Sequence, residues 1–110
     1  MKYAFDLDGT LCLQEKDGDY TSSYPWMARV KKVNWLYDQG HTIYIYTARG
    51  MGSTDNSPPR AMEKYYALTL EQLTKWGIRH HGLFFGKPSV DRFIDDRATV
   101  AHEFFNDFIY

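Results

Sequence analysis

The stretch YAFDLDGTL, residues 3–11, places two carboxylates two positions apart at the end of an apolar run and follows them directly with Gly-Thr. A short run of this kind is typical of a strand buried on both faces, as in a parallel sheet covered by helices. Two like charges held close together resist ionising together. Asp6 and Asp8 therefore require a bound cation, a proton-transfer task or exposure to solvent.

Composition limits the classes of protein to which this chain can belong. Its 110 residues suit one domain, so we expect a single domain over residues 1–110. The net charge of −1, from 13 basic and 14 acidic residues, disfavours extended nucleic-acid binding but is compatible with a short oligonucleotide end. Cys12 is the single cysteine, and no apolar stretch has the length of a signal peptide or of a ~20-residue membrane span. We expect a cytoplasmic protein without membrane contact.

The predicted elements alternate in type after the first strand. Residues 11–24 form two short arms around an Asp-Gly turn pair, which predicts a small hairpin or flap. A serine at position 22 or 23 can cap a first helix, with Pro25 in its first turn and Gly40 at its end. The β-branched and aromatic stretch TIYIYTA, residues 42–48, predicts the next strand.

The second half of the chain continues this alternation. A helix is predicted from Ser57 to Gly77, because prolines follow the serine and glycine ends the apolar pattern. Two short strands are predicted at residues 81–85 and 91–95, and a last helix with a broad apolar face at residues 97–108. This order predicts an α/β fold with a mainly parallel sheet flanked by helices.

Polar groups gather where the predicted strands end. In such a sheet, ligands bind beyond the carboxyl ends of the strands. The groups at this edge are Asp6, Asp8, Thr47, Ala48, Arg49, Lys87, Asp95 and Asp96. Hard oxygen ligands suit Mg²⁺ and a bridging phosphate. With the cation bound, one carboxylate can attack phosphorus to form an acyl-phosphate while a neighbouring acid gives a proton to the leaving oxygen.

FDLDGTL, a strand ending in Thr, a Lys and a strand ending in Asp-Asp stand in the order of the four motifs of the haloacid dehalogenase superfamily of phosphohydrolases. The chain resembles that superfamily over nearly its whole length. The resemblance implies a Rossmann-like domain. It also implies that no cap domain is present, because the stretches in which the superfamily inserts caps hold only a flap and little beyond one helix.

The resemblance implies a role for each charged residue of the first and third motifs. Asp6 resembles the nucleophile and Mg²⁺ ligand. Asp8 resembles the general acid and base, whose main-chain carbonyl also meets the metal. Lys87 resembles the lysine that stabilises the nucleophile and the transferring phosphoryl charge, although it lies so close to the fourth motif that the helix often carrying it must be reduced or absent.

The second and fourth motifs imply phosphate and metal binding. Thr47, with the amide of Ala48, resembles the phosphate grip, and Arg49 can grip phosphate or substrate or else pair with a surface acid. Asp95 resembles a metal ligand, and Asp96 resembles a second ligand or a partner through water. Helix capping before the last helix is an alternative role for these two acids.

Local resemblances suggest substrates. YTARGM (46–51) and FGKPSVDRFIDDRA (85–98) resemble small phosphatases encoded with capsular polysaccharide biosynthesis, which implies a phosphorylated sugar, polyol or related precursor. SPPR (57–60) and IDDRATV (94–100) resemble the phosphatase domain of phage polynucleotide kinase, which implies a 3′-phosphorylated nucleic-acid end. A non-catalytic phosphate- or partner-binding module is a third hypothesis. Aromatic residues make up 17% of the chain, enough for some of them to form a homo-oligomer interface.

Overall fold

The structure, a computed structural model, describes residues 1–107. Its elements are β1 (Lys2–Asp6), β2 (Cys12–Gln14), β3 (Ser23–Pro25), α1 (Met27–Asp38), β4 (Thr42–Thr47), α2 (Pro58–Lys75), β5 (Gly82–Phe85) and α3 (Ala101–Phe105). The central sheet is parallel and three-stranded, with the order β1-β4-β5. Helices flank it, with α1 contacting β4 and α2 contacting β5. The prediction of a parallel α/β fold is confirmed, and residues 1–107 contain no cap domain.

Parallel pairing brings the carboxyl ends of the three strands to one edge. Asp6 pairs with Tyr46, and Thr47 pairs with Phe85. In β4, Ile43, Ile45 and Thr47 are fully buried while the residues between them are half-buried. The alternation arises because successive side chains of a strand point to opposite faces. The sheet is thereby fixed in the core, with its polar termini at one edge.

The flap is confirmed as an antiparallel hairpin in which β2 pairs with β3. The start of α1 was placed too early by the sequence, because Ser23 and Pro25 belong to β3 and pair with Gln14 and Cys12. Trp26 takes the N-cap position without a side-chain hydrogen bond. Backbone pairing in the hairpin therefore overrides the capping preference of serine.

The predicted strand at residues 91–95 is wrong: that segment has no regular structure, and residues 91–100 are all exposed. A short apolar segment forms a strand only when a neighbouring strand takes up its backbone groups, and here Ile94 is 92% exposed. Burial of β1 on both faces is also only partly confirmed. β1 is an edge strand, and its Ala4 is exposed.

The last helix is shorter than predicted. It begins at Ala101 and not at Arg97, with Val100 in the N-cap position, and it ends at Phe105 because Asn106 adopts a left-handed conformation (φ 52°). Phe104 packs against the rings of Tyr3 and Phe5, so this short helix covers part of β1. The predicted apolar position Phe108 lies outside the described residues. Within residues 1–107, no helix is both long enough and apolar enough to cross a membrane.

A buried arginine joins the C-terminal segment to the loop after β1. The guanidinium of Arg29, which is 1% exposed, donates to both carboxylate oxygens of Asp107 at 2.7 Å and to the carbonyl of Thr10 at 3.1 Å. The same group lies 3.6 Å from the ring centre of Trp26. Arg29 therefore ties α1, the C-terminal segment and the loop that follows Asp6 together.

This ion pair predicts a specific loss of stability in acid. The hydrogen bonds from Arg29 hold the pKa of Asp107 at about 2, below its ordinary 3.8. A carboxyl with a lowered pKa in the folded state stabilises the protein above its ordinary pKa and loses this effect as the pH falls from about 3.8 towards 2. In urea titrations, the free energy of unfolding of the wild type is expected to fall more steeply across this window than that of Asp107→Asn.

Asp38→Asn is the matched control. Asp38 pairs with Arg79 at 2.9 Å, but both side chains are half exposed, so this ion pair contributes little. The control is expected to follow the wild type across the same pH window. If the free energy of unfolding fell equally with pH in the wild type and in Asp107→Asn, the Arg29–Asp107 ion pair would not be the cause of the acid loss.

Gly50, directly after Arg49, is a position at which backbone geometry and close packing both favour glycine. Its φ is +78°, and an added Cβ would lie 2.9 Å from Cδ2 of Tyr65 and 3.0 Å from Cα of Ala61. Gly50→Ala is expected to lower the free energy of unfolding by about 1–3 kcal/mol more than Gly77→Ala. Gly77 has a similar φ of +70° but nothing within 4 Å of an added Cβ. Equal losses in thermal or urea unfolding would show that close approach to α2 does not matter.

Candidate active site

A cavity of about 430 Å³ lies at the carboxyl edge of the sheet. Its walls come from the loop after β1, the flap turn, the loop after β4, helix α2 and the segment after β5. Five of the eight predicted site residues line it: Asp6, Asp8, Ala48, Arg49 and Lys87. The position matches the rule that ligands of parallel sheets bind beyond the strand ends.

A tight turn aims the two carboxylates of the opening stretch. The amides of Thr10 and Leu11 donate to the carbonyl of Leu7 at 3.1 and 2.9 Å. The side chains of Leu7 and Leu11 are fully buried. Because these leucines are fixed in the core, Asp6 and Asp8 lie on the other side of the loop and both line the cavity.

Both oxygens of Asp6 have protein partners. Oδ1 lies 3.2 Å from Nζ of Lys87, and Oδ2 accepts a hydrogen bond from the Thr10 hydroxyl at 3.0 Å. The ammonium group of Lys87 also lies over the rings of Tyr46 and Phe93, at 4.7 and 4.9 Å. The Asp6 carboxylate is thus oriented and faces a fixed positive charge.

Lys87 reaches Asp6 without a helix of its own. It lies two residues beyond the end of β5, and its amide continues the pairing with β4 by donating to the carbonyl of Thr47 at 3.2 Å. Gly86, with φ +100°, makes the bend before it. The prediction that a helix at this lysine is reduced or absent is confirmed, because no helix lies between β5 and α3.

Asp8 forms a two-pronged ion pair with Arg49. The guanidinium donates from Nε to Oδ2 at 3.0 Å and from Nη2 to Oδ1 at 3.1 Å. Arg49 is 1% exposed, and its Nη1 donates to Thr69 Oγ1 at 3.1 Å and to Gln72 Oε1 at 2.6 Å. The side-chain amide of Gln72 in turn donates to the flap carbonyl of Tyr20 at 2.8 Å. The network links Asp8 to helix α2 and the flap.

The two residues of the second motif differ in accessibility. Thr47 is fully buried, and its hydroxyl oxygen accepts a hydrogen bond from the Arg49 amide at 3.0 Å. Ala48 lines the cavity. The turn formed by Thr47 and Arg49 places the Ala48 backbone at the cavity wall.

Asp95 and Asp96 are exposed and do not line the cavity. Oδ1 of Asp95 accepts a hydrogen bond from the amide of Arg97 at 2.8 Å, the local bond of a turn residue. The helix-capping alternative for these acids is wrong, because α3 begins at Ala101 with Val100 in the N-cap position. Within residues 1–107, no group of three His, Cys, Asp or Glu side chains is arranged to hold a metal. The metal roles of Asp95 and Asp96 stay predictions.

The sequence pattern does not single out three aromatic residues of the cavity, Tyr20, Tyr65 and Phe93. The rings of Tyr20 and Tyr65 meet edge to face with 4.9 Å between centres. A signal for this face of α2 is present in retrospect: Tyr65 and Thr69 follow Ala61 at intervals of four, so all three share one helix face. Of these three residues only Tyr65 lines the cavity, whereas Ala61 and Thr69 are fully buried and Thr69 contacts Arg49.

Two further groups near Asp8 stay neutral. Burial, and secondarily the charge of Asp8, raise the pKa of the Cys12 thiol to about 12. Its Sγ donates to Asp8 Oδ1 at 3.5 Å. Burial and the same carboxylate also raise the pKa of Tyr20. Cys12 is therefore a buried structural thiol, and Tyr20 offers a neutral phenol to the cavity.

Comparison with known proteins supports the fold. The chain is similar to a crystal structure of a Vibrio cholerae protein described as an MCSG target, with a TM-score of 0.85 and 29% sequence identity. The match covers 94% of this chain and 86% of that chain. A scan against protein-family models and a search of curated proteins gave no match. The shared fold extends over nearly the whole chain, while the name of that protein states no function.

Proposed function

We propose that this chain is a capless phosphatase of the haloacid dehalogenase type, a phosphomonoesterase that requires Mg²⁺ and works through an aspartyl-phosphate on Asp6. The observation that carries the proposal is the contact of 3.2 Å between Asp6 Oδ1 and Lys87 Nζ, beside Asp8, in one cavity. A nucleophilic carboxylate, a cation for the transferring charge and a second carboxylate for the proton are the groups that this reaction needs.

In the first step, an oxygen of Asp6 attacks phosphorus, and the bond between phosphorus and the ester oxygen breaks. Asp8 takes up a proton from the bound phosphate monoanion or from solvent and gives that proton to the leaving oxygen. In the second step, water attacks the phosphorus of the aspartyl-phosphate, Asp8 takes a proton from the water, and the bond to Asp6 breaks to release inorganic phosphate. Lys87 offsets negative charge on Asp6 and the phosphoryl group in both steps.

The donor set fits Mg²⁺. Asp6 and Asp8 both line the cavity, and Mg²⁺ is commonly bound through one or two carboxylates plus substrate phosphate and water. When bound, the ion would neutralise phosphate charge and lower the repulsion between Asp6 and the substrate. Asp95 and Asp96 would complete the site only if residues 94–97 approached the cavity, whose wall ends at Phe93 in this segment.

A small phosphorylated metabolite is the substrate that the cavity favours. A volume of about 430 Å³ falls in the range of small-molecule sites. Its wall combines the rings of Tyr20 and Tyr65 with the hydroxyls of Ser53 and Ser89, a mixture of flat apolar surface and hydrogen-bonding groups that suits a sugar or polyol. We therefore propose a sugar or polyol phosphate of capsule or polysaccharide biosynthesis, handled in the cytoplasm.

The 3′-phosphatase alternative needs a basic groove for the nucleic-acid backbone. Of the basic residues available for such a groove, Arg60, Lys64 and Arg97 do not line the cavity, and the guanidinium of Arg49 pairs with Asp8. Lys64 lies only at the rim, with Nζ 3.4 Å from Ser53 Oγ. These positions favour the small metabolite. The non-catalytic module is disfavoured because Asp6 and Asp8 are both present.

A substrate screen tests the proposal. The purified chain with Mg²⁺ is offered sugar phosphates, polyol phosphates, nucleotides and 3′-phosphorylated oligonucleotides, and release of inorganic phosphate is measured with and without EDTA. Hydrolysis of sugar or polyol phosphates that EDTA abolishes is the expected result. A preference for oligonucleotide ends would overturn only the substrate class, whereas no hydrolysis of any compound would overturn the enzyme assignment.

A further inference from the structure

Arg49 lines the cavity, yet its guanidinium is directed into the protein. Nε and Nη2 bind Asp8, and Nη1 binds Thr69 and Gln72. Nη2 also has Ser23 Oγ at 3.5 Å. With the side chain 1% exposed, every nitrogen of the guanidinium already faces a protein acceptor.

We infer that Arg49 is a positioning residue that acts through Asp8 and does not grip the phosphate of the substrate. This inference rests on the proposed function, because it assigns Arg49 to the proton-transfer step of that reaction. A phosphate grip would require the guanidinium to leave Asp8 and at least part of its contacts with α2. Leaving a buried charge without partners is strongly destabilising, so the contacts of the free enzyme favour the positioning role.

The geometry explains how positioning would work. A two-pronged arginine–carboxylate pair fixes both the distance and the plane of the carboxylate. Thr69 and Gln72 hold the far side of the guanidinium on α2, and Gln72 also holds the flap through Tyr20. The orientation of Asp8 is therefore set by α2 and the flap together, and not only by its own loop.

If Arg49 positions Asp8, its replacement affects some phosphate esters more than others, whereas phosphate binding by Arg49 would predict no such difference. Asp8 protonates the leaving oxygen, so misplacing its carboxylate slows esters whose leaving group needs a proton. An alkyl phosphate such as a polyol phosphate needs that proton, whereas 2,4-dinitrophenyl phosphate releases a stable anion without it. A residue that bound phosphate would affect both esters equally, because the phosphoryl group is the same.

The experiment compares kcat/KM for these two esters in the wild type, Arg49→Lys and Thr69→Val. For Arg49→Lys, kcat/KM is expected to fall at least ~10²-fold further for the alkyl ester than for the dinitrophenyl ester, the range of general acid catalysis. The inhibition constant of inorganic phosphate is expected to stay within about twofold of the wild type. Thr69→Val, a near-isosteric change outside the cavity that removes one acceptor of Nη1, is expected to shift the ratio in the same direction by a smaller factor.

The ratio of the two esters is independent of the fraction of folded enzyme, so partial misfolding of Arg49→Lys does not change it. Equal losses for both esters, or a phosphate inhibition constant raised tenfold or more, would overturn the positioning role and support a phosphate grip. Failure of the wild type to hydrolyse either ester would instead overturn the proposed function, and the inference with it.

Discussion

Asp6→Asn is expected to lower kcat by about 10⁴-fold or more on every phosphate ester that the wild type hydrolyses. The carboxamide is a poor nucleophile and cannot form the acyl-phosphate. It also removes the negative charge that faces Lys87 Nζ at 3.2 Å. The measurement is release of inorganic phosphate at saturating substrate and Mg²⁺. Circular dichroism is measured alongside to check the fold. It is expected to be unchanged, because asparagine keeps the size of the side chain and an acceptor for the Thr10 hydroxyl.

Asp17→Asn is the matched control, since Asp17 is an exposed acid in the flap turn. It carries the same change of charge and composition and is expected to retain wild-type activity. Mass spectrometry of rapidly quenched enzyme adds a direct readout, with a phosphoryl group expected on Asp6 in the wild type and absent from Asp6→Asn. A folded Asp6→Asn enzyme with more than about a tenth of wild-type activity would rule out covalent catalysis by Asp6.

The sheet and its polar edge could be predicted because strand burial requires a regular pattern of apolar residues that is visible in the sequence. Ile43 and Ile45 alternate with half-buried tyrosines in β4, and the register of β1 and β4 then brings Asp6 to the edge where β4 ends. Helix α2 was also predictable, since Ser57 and two prolines mark its start and Gly77 follows its end. These signals are local, and the core that they build agrees with them.

The strand predicted at 91–95 shows where local patterns stop being informative. Its apolar pair Phe93 and Ile94, flanked by charged residues, is compatible with a short strand, but strand formation depends on a neighbour that the segment does not meet. The first helix shows the same limit, because the hairpin claims Ser23 and Pro25. In both cases, pairing between distant parts of the chain decides a conformation that single residues leave open.

The candidate site likewise has a part that the sequence predicts and a part that it does not. Asp6, Asp8 and Lys87 could be placed at the cavity because each lies at the end of a strand or two residues beyond it. The environment of Arg49 could not be predicted, because its partners Thr69 and Gln72 lie on α2 and reach it only when that helix packs beside the sheet. The order of strands and polar residues in the sequence identifies which side chains lie at the carboxyl edge of the sheet. Which of them form hydrogen bonds or ion pairs depends on how the helices pack against the sheet.

Asp8→Asn is expected to separate the two chemical steps. With an alkyl phosphate, kcat should fall by about 10³-fold, because the leaving oxygen no longer receives a proton. With 2,4-dinitrophenyl phosphate, the first step needs no proton and should proceed with little loss. The second step still needs Asp8 to accept a proton from water, so the aspartyl-phosphate should accumulate. Stopped-flow absorbance is expected to show a burst of dinitrophenolate close to one equivalent of enzyme, followed by a slow steady state.

The same variant tests whether Asp8 is needed for structure or for chemistry. Replacing it leaves the buried Arg49 guanidinium facing an amide instead of a carboxylate, which costs stability because a buried charge loses its counter-ion. A lower melting temperature alone would reduce both esters in proportion to the folded fraction and would give no burst. A burst with the dinitrophenyl ester together with a large loss on the alkyl ester requires a folded enzyme that still forms the intermediate on Asp6. Parallel losses without a burst would assign Asp8 a structural role and remove it from the proton-transfer step.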